Sequence, residues 1–245
     1  MWSELKPGLL MMVAITLLTG LVYPALVTGV AQIVFHDQAN GSLLIVNGQV
    51  IGSRLIAQNF SRPEYFHPRP SSAGPAGYDP TATGGSNLGP TSAKLLNGTT
   101  RIDEQHHEVV DFDGIKLRVV RYCLDNGIPV DSSTPLDDFR GANGELDDVR
   151  LIKAFNDDRS PLTITARTPI PADAVTASAS GIDPHISPRN AELQAARVAK
   201  ARGIDVHSIN EILAQHTEGR TLGLFGEPRV NVLELNLALD ARFIR

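Results

Sequence analysis

The sequence predicts an α/β protein: a single N-terminal transmembrane helix followed by one extracytoplasmic α/β domain with an inserted acidic segment. Three observations predict it. Pro7–Phe35 carries no Asp, Glu, Lys, Arg or His, the rest of the chain mixes short strand signals with capped amphipathic runs, and residues 97–168 turn polar and acidic. The expected boundaries are a cytoplasmic N-terminus over 1–6, a transmembrane helix over 7–36 and an exported domain over 37–245, with 97–168 inserted or divergent.

The apolar run sets the first element. About 29 residues at ~1.5 Å each give a helix of roughly 43 Å, more than the ~30 Å of hydrocarbon it must cross. A signal peptide has a shorter apolar part and a small-x-small cleavage site, which does not clearly follow here. Lys6 and the terminal amine precede the helix, and the next basic residue after His36 and Asp37 is Arg54. Positive charge stays in the cytoplasm, so everything after residue 36 is expected outside. Thr16, Gly20, Pro24 and Thr28 recur every four positions, with Ala25 and Gly29 alongside. Small side chains let helices approach closely in lipid. Two readings follow, a helix-packing face or a lone anchor that tolerates Gly and Pro.

Past the hinge at Asn40-Gly41, Ser42–Val46 and Gln49–Ile51 flank Asn47-Gly48, the signal of a two-residue hairpin whose turn positions need positive φ. Ser61–Pro90 is crowded with Pro, Gly, Ser and Thr but holds Tyr65, Phe66, His67, Arg69 and Tyr78. Pro forbids helix there, and the aromatics argue for an ordered loop. In the acidic stretch, Asp113 opens a helix through Leu124 with Ile115, Val119, Tyr122 and Cys123 on one face, or else Asp113-Gly114 turns a hairpin. A weaker helix is expected over Leu146–Phe155. Towards the C-terminus, Ser187-Pro188 starts a helix that stops at Gly203, and another spans about Val206–Gln215. Asn231 and Glu234 form a capping box before VLELNLAL, which alternatively reads as a bulged strand.

Composition narrows function. A net charge of −5 argues against nucleic acid, because no basic stripe replaces phosphate counterions. The single cysteine, Cys123, excludes an internal disulfide and reads as a buried small hydrophobe. Asp137-Asp138, Asp147-Asp148 and Asp157-Asp158 lack the spacing of a calcium loop, and adjacent His106-His107 diverge on any regular element. GGSNLGPT at 84–91 has P-loop glycines, but Pro90 stands where the lysine belongs. No Gly-x-Ser-x-Gly or His-Glu-x-x-His motif occurs. The residues alone therefore indicate an accessory subunit or an anchored binding module, with no catalytic, cofactor or metal residues.

Four stretches go further: GQVIGSRLIAQNFSRPEYFHPRPS (48–71), YDPTATGGSNLGPTS (78–92), DAVTASASGIDPHISPRNAELQAARVAKARG (173–203) and HTEGRTLGLFGEPRVNVLELNLALD (216–240). With the N-terminal helix they cover roughly two-thirds of the chain, and together they resemble the C subunit of the Kdp potassium-transporting P-type ATPase. The resemblance implies a non-catalytic accessory subunit in the bacterial inner membrane, needed for assembly and stability and described as raising the ATP affinity of the pump subunit. Its implied partners are a channel-like potassium-pathway subunit, a P-type ATP-hydrolysing subunit and the lipid bilayer. ATP and potassium are handled by those partners, and this chain lacks the Asp-Lys-Thr-Gly phosphorylation motif. An exported domain cannot touch cytoplasmic ATP, so any such effect must pass through the membrane helices.

Candidate interface residues follow: Thr16, Gly20, Pro24 and Thr28 on the helix; Tyr65, Phe66, His67 and Arg69 as rigid anchors; Ser86, Asn87, Asp183 and His185 in tight turns beside them. The alternative is a membrane-anchored extracytoplasmic solute-binding or interaction module, which needs a pocket with converging polar groups.

Overall fold

A helical rod begins the computed structural model, which describes residues 2–243. α1 (Trp2–Leu17) passes through a π-helical turn, Leu18–Val22, into α2 (Tyr23–Val34). Pro24 accounts for the π turn. Its ring offers no N–H and collides with the carbonyl four residues back in a regular helix. Here the Tyr23 N–H reaches back to the Leu18 carbonyl, widening the turn ahead of the proline. Pro7, expected near the start, lies inside α1, and Glu4 occupies the first turn where a negative charge suits the helix dipole. Glu4–Val34 is 31 residues, and 18 consecutive residues within it reach a mean hydropathy of 2.2 with none buried, long and apolar enough to cross a membrane. Of the expected cytoplasmic tail over 1–6, Met1 lies outside the described residues, as do the domain's last two residues, 244 and 245.

The chain divides into two compact units, the first ending at Leu55 and the second beginning at Ile56. The first unit continues from α2 through a short helix, α3 (His36–Ala39), into a hairpin of β1 (Leu43–Val46) and β2 (Gln49–Ser53). Its turn is the one the sequence predicts, with Asn47 at φ 51° and Gly48 at φ 78°.

In the second unit, residues 56–92 contain neither helix nor strand. α4 (Ala93–Asn97), capped by the Ser92 hydroxyl, leads into β3 (Thr99–Ile102) and β4 (Glu108–Phe112), an antiparallel hairpin absent from the sequence reading. The rivalry at Asp113 resolves in favour of helix, as β4 ends there and α5 (Gly114–Asp125) begins at once. Gly114 has φ 63° and lies so close to the Gly98 backbone that a Cβ there would collide with it. That contact sets the helix's rotation, so the fully buried face is Leu117, Val120 and Cys123; Ile115, Val119 and Tyr122, expected on it, are only half-buried. β5 (Val130–Ser132) pairs with β6 (Ile164–Ala166) around α6 (Asp148–Phe155), whose cap is Asp147. Leu117, Val120, Leu151, Ile152, Phe155 and Leu162 form one core.

The remaining elements build the second core. β7 (His185–Ile186) leads into α7 (Pro188–Arg202), with Ser187 as cap and Gly203 as the left-handed stop at φ 67°. α8 (Val206–Gln215), β8 (Thr217–Glu218), β9 (Arg229–Asn231) and α9 (Val232–Arg242) follow. β9 lies between β7 and β8 in an antiparallel sheet. The helix reading of the final stretch holds and the bulged-strand reading does not: all of VLELNLAL lies in α9, the strand ends at Asn231, and Asn231 Oδ1 accepts the Glu234 N–H at 3.2 Å. Phe66, Ala195, Val198, Ile209, Ile212, Leu235 and Leu239 belong to this core.

Candidate functional site

The stretch from Pro63 to Arg69 leaves a turn closed by the Tyr65 N–H on the Arg62 carbonyl and continues without helix or strand, and side chains from α7 and α9 take up its backbone groups. Asn236 closes both polar groups of Phe66, accepting from its N–H at 2.8 Å and donating to its carbonyl at 2.9 Å. Gln194 does the same for His67, at 2.7 and 3.1 Å. Arg197 donates to the carbonyls of Pro63 and Tyr65, and Arg202 to that of Glu64. Buried backbone groups must be paired, and here two amides and two guanidiniums do it without secondary structure.

The aromatic anchors are placed by the same elements. The Phe66 ring is fully buried in the α7–α9 core, so its contacts belong to this chain. Tyr65 lies between the guanidiniums of Arg62 and Arg202, 5.0 and 5.1 Å from its ring centre, and donates its hydroxyl hydrogen to Asp240 at 3.0 Å. His67 Nε2 is 3.1 Å from the Arg62 carbonyl and 3.4 Å from Arg197 Nη1. Burial, and then the charge of Arg197, hold the His67 pKa below its usual value.

A second knot lies beyond His67. Arg69 pairs with Asp183 at 3.0 Å and donates to the Ala177 carbonyl at 3.3 Å, while its Nε is buried without a partner. Asp183 also accepts the His185 N–H at 3.0 Å. Burial pushes its pKa up, but the hydrogen bonds from His185 and the charge of Arg69 outweigh that and hold it low. Ser71 Oγ donates to the Gly181 carbonyl at 2.6 Å and accepts the N–H groups of Ala73 and Tyr78. Tyr78, whose hydroxyl donates to the Arg69 carbonyl, is pushed up to about 12 by burial. Gly84 N–H bonds to the Ser180 carbonyl, tying the glycine-rich turn to the same place. Ser86 lines a cleft there with Ser71, Lys94, Asp111 and Arg118, and Asn87 takes a left-handed φ of 54°.

The structure thus joins Tyr65, Phe66, His67, Arg69, Asp183 and His185 into one seam, with Ser86 and Asn87 on the loop stitched to it. Thr16, Gly20, Pro24 and Thr28 lie in the first unit, all exposed. Sequence reasoning missed Gln194, Arg197, Arg202 and Asn236, and also Asp173, which holds Ser187 and Asn190 at the start of α7. Gln194 and Asn236 are fully buried polar residues, the first sharing its helix face with buried Asn190 and the second lying among Val232, Leu233, Leu235 and Leu239.

What the seam does chemically is hold. Apart from Arg69 Nε, the charged and hydrogen-bonding groups described above are engaged with one another, and among the described residues no three His, Cys, Asp or Glu side chains stand together as a metal site. Cys123 is buried, and burial pushes its thiol up, away from a reactive thiolate. The paired aspartates are used locally: Asp137 bonds Arg140, Asp147 caps α6, Asp148 pairs with Arg121, and Asp157 accepts two backbone N–H groups.

The family model for the c chain of the K+-transporting ATPase, KdpC, matches residues 5–117 and 139–241. The chain belongs to the KdpC family. The match spans both the apolar helix and the seam, and its internal gap, residues 118–138, falls in α5, β5 and the turn after them. Relatives named "Potassium-transporting ATPase KdpC subunit" include one from Gemmatimonas aurantiaca, 44% identical over 98% of this chain and 94% of that protein. One from Koribacter versatilis is 42% identical over 98% and 95%, and one from Mycobacterium tuberculosis strain H37Rv 43% identical over 98% and 99%. KdpC membership makes the chain an accessory, not a catalytic, subunit of a potassium-transporting ATPase.

Proposed function

We propose that this chain is a single-pass assembly subunit of an ATP-driven potassium uptake complex, with its N-terminus inside and its second unit outside the cytoplasm. The observation that carries it is the family match, which runs through the apolar helix and the folded unit together. The partners are the potassium-pathway subunit and the ATP-hydrolysing subunit. In the membrane, Thr16, Gly20, Pro24 and Thr28 form the packing stripe. Four residues of α-helix drift about 40° around the axis; the wide π turn at Leu18–Val22 reduces that drift and keeps the stripe straighter.

Outside the membrane, the seam works as a rigid support. Tyr65, His67, Arg69, Asp183 and His185, all half-buried, present their outer edges to the partner with little rotamer freedom left to lose. An influence on ATP affinity then travels through the helix as a difference in how it packs against two states of the pump. No ATP binds to this chain.

Solubilising membranes in mild detergent and pulling on this chain tests the proposal. Both larger subunits should co-purify, and removal of this chain should leave them dissociating. Recovery of the full-length chain without companions would overturn it.

A further inference from the structure

Five Asn-Gly pairs occur in the chain, at 40–41, 47–48, 97–98, 126–127 and 143–144. Such a pair carries a reaction of its own. The glycine nitrogen can attack the asparagine side-chain carbonyl one residue back, because glycine has no side chain to shield it. A fold suppresses that attack by engaging the asparagine amide and the glycine N–H in hydrogen bonds, which fix the backbone away from the geometry it needs.

Four of the pairs are held in this way. Asn40 donates to Gln32 at 3.1 Å and to the His36 carbonyl at 2.7 Å, and the Gly41 N–H bonds to the Gln38 carbonyl. Asn97 donates to Asn156 at 3.2 Å, and the Gly98 N–H bonds to the Lys94 carbonyl. Asn126 donates to the Tyr122 carbonyl and accepts from Arg197, with the Gly127 N–H on the Leu124 carbonyl. Asn143 donates to the Glu145 carboxylate and accepts the Glu145 N–H, while the Gly144 N–H bonds to the Gly141 carbonyl.

Asn47-Gly48 differs at both groups. The pair forms the tip of the β1–β2 hairpin, both residues are exposed, and neither the Asn47 amide nor the Gly48 N–H has a hydrogen-bond partner among the described residues. Nothing lies within 4 Å of where a Gly48 Cβ would stand, so the turn has room to move. Only a two-stranded sheet holds Asn47 at its φ of 51°, and such a sheet is marginal in water, so the turn opens readily.

We propose that Asn47 is a site of spontaneous deamidation. The Gly48 nitrogen gives its proton to a base in solvent and bonds to Asn47 Cγ. The Cγ–Nδ2 bond breaks, ammonia leaves with a proton returned by solvent, and a five-membered succinimide remains. Water then adds to either ring carbonyl, breaks that carbon's bond to the Gly48 nitrogen, and leaves an aspartate or an isoaspartate at position 47. No electrons are exchanged, and water is the only co-reactant. Both products place a negative charge at the hairpin tip. Isoaspartate also lengthens the backbone by one methylene in a turn whose length fixes the strand register, which breaks the pairing of Val46 with Gln49.

Native membranes carrying the full-length chain are incubated at mildly alkaline pH in water labelled with heavy oxygen, and peptide mass spectrometry then reads the label at each of the five pairs. Asn47 should convert about tenfold faster than any of the other four, each of which must first break at least two hydrogen bonds. Isoaspartate should accompany aspartate at position 47, as ring opening at either carbonyl requires. In urea, where the protecting bonds are gone, the five rates should converge. No conversion at position 47, another pair in the lead, or equal rates in the folded chain would overturn the proposal. Aspartate without isoaspartate would also overturn it, by excluding the succinimide. So would an undiminished lead for Asn47 in urea, which would put the cause in the local sequence and not in the fold.

Discussion

Gly181 is where the two loops of the seam come closest. With φ at 71°, a Cβ there would lie 2.7 Å from Ala73 Cβ and 2.7 Å from the Gly84 carbonyl oxygen. Only glycine satisfies both the left-handed conformation and the missing volume. Gly127, at the end of α5, has φ 66° but nothing within 4 Å of its would-be Cβ. Gly181→Ala should therefore cost about 2–4 kcal/mol, strain and overpacking combined, against about 1 kcal/mol for Gly127→Ala. Thermal unfolding of the two full-length variants in detergent checks this, and equal shifts would refute the close-approach account. From sequence, Gly127 was legible because Asn126-Gly127 follows a helical period. Gly181 was not, because its neighbours at 73 and 84 are a hundred residues away along the chain and no local pattern points to them.

The elements divide along the same line. α7, α8 and α9 were legible from Ser187-Pro188, Gly203 and the Asn231–Glu234 box, signals that act within one turn of the residues they govern. The hairpins of the acidic segment were not. β3 pairs with β4 across a polar connection, and β5 finds β6 only after α6 has intervened. The run over 63–69 is held by partners at separations of 127 residues for His67–Gln194 and 170 for Phe66–Asn236, beyond the reach of any local pattern. That hold can be tested. Asn236→Ala leaves the buried N–H and carbonyl of Phe66 unpaired, at about 1–3 kcal/mol each, so a loss of about 2–6 kcal/mol is expected. Gln194→Ala should cost less, since His67 is only half-buried. In the double variant the losses should sum to less than their total, because the first substitution already frees the segment that the second would free. Urea unfolding of the three variants measures the coupling. Full additivity would mean that the two amides act on separate structures and that no common clamp exists.

At the scale of the whole molecule, the seam and the membrane helix bear on different questions. Tyr65 is bonded to Asp240, Phe66 is buried in the core and Arg69 is paired with Asp183, all inside the second unit, so changing them loosens the support before it alters any contact with a partner. Orientation rests on a separate sequence signal: Lys6 in the first turns of α1, ahead of the uncharged run, and no further Lys or Arg until Arg54. The chain's one cysteine makes that testable. Cys123 is fully buried and unpaired, so Cys123→Ala gives a thiol-free background at the cost of one small side chain. Into it, Leu222→Cys places a thiol on a loop where the native side chain is 84% exposed, and Glu4→Cys places one at the opposite end of the apolar helix. With the N-terminus inside, a membrane-impermeant maleimide applied to right-side-out vesicles should label the Leu222→Cys chain at once. The Glu4→Cys chain should label only after the vesicles are opened. The reverse pattern would put the second unit in the cytoplasm, within reach of ATP, and the indirect coupling proposed for nucleotide affinity would lose its premise.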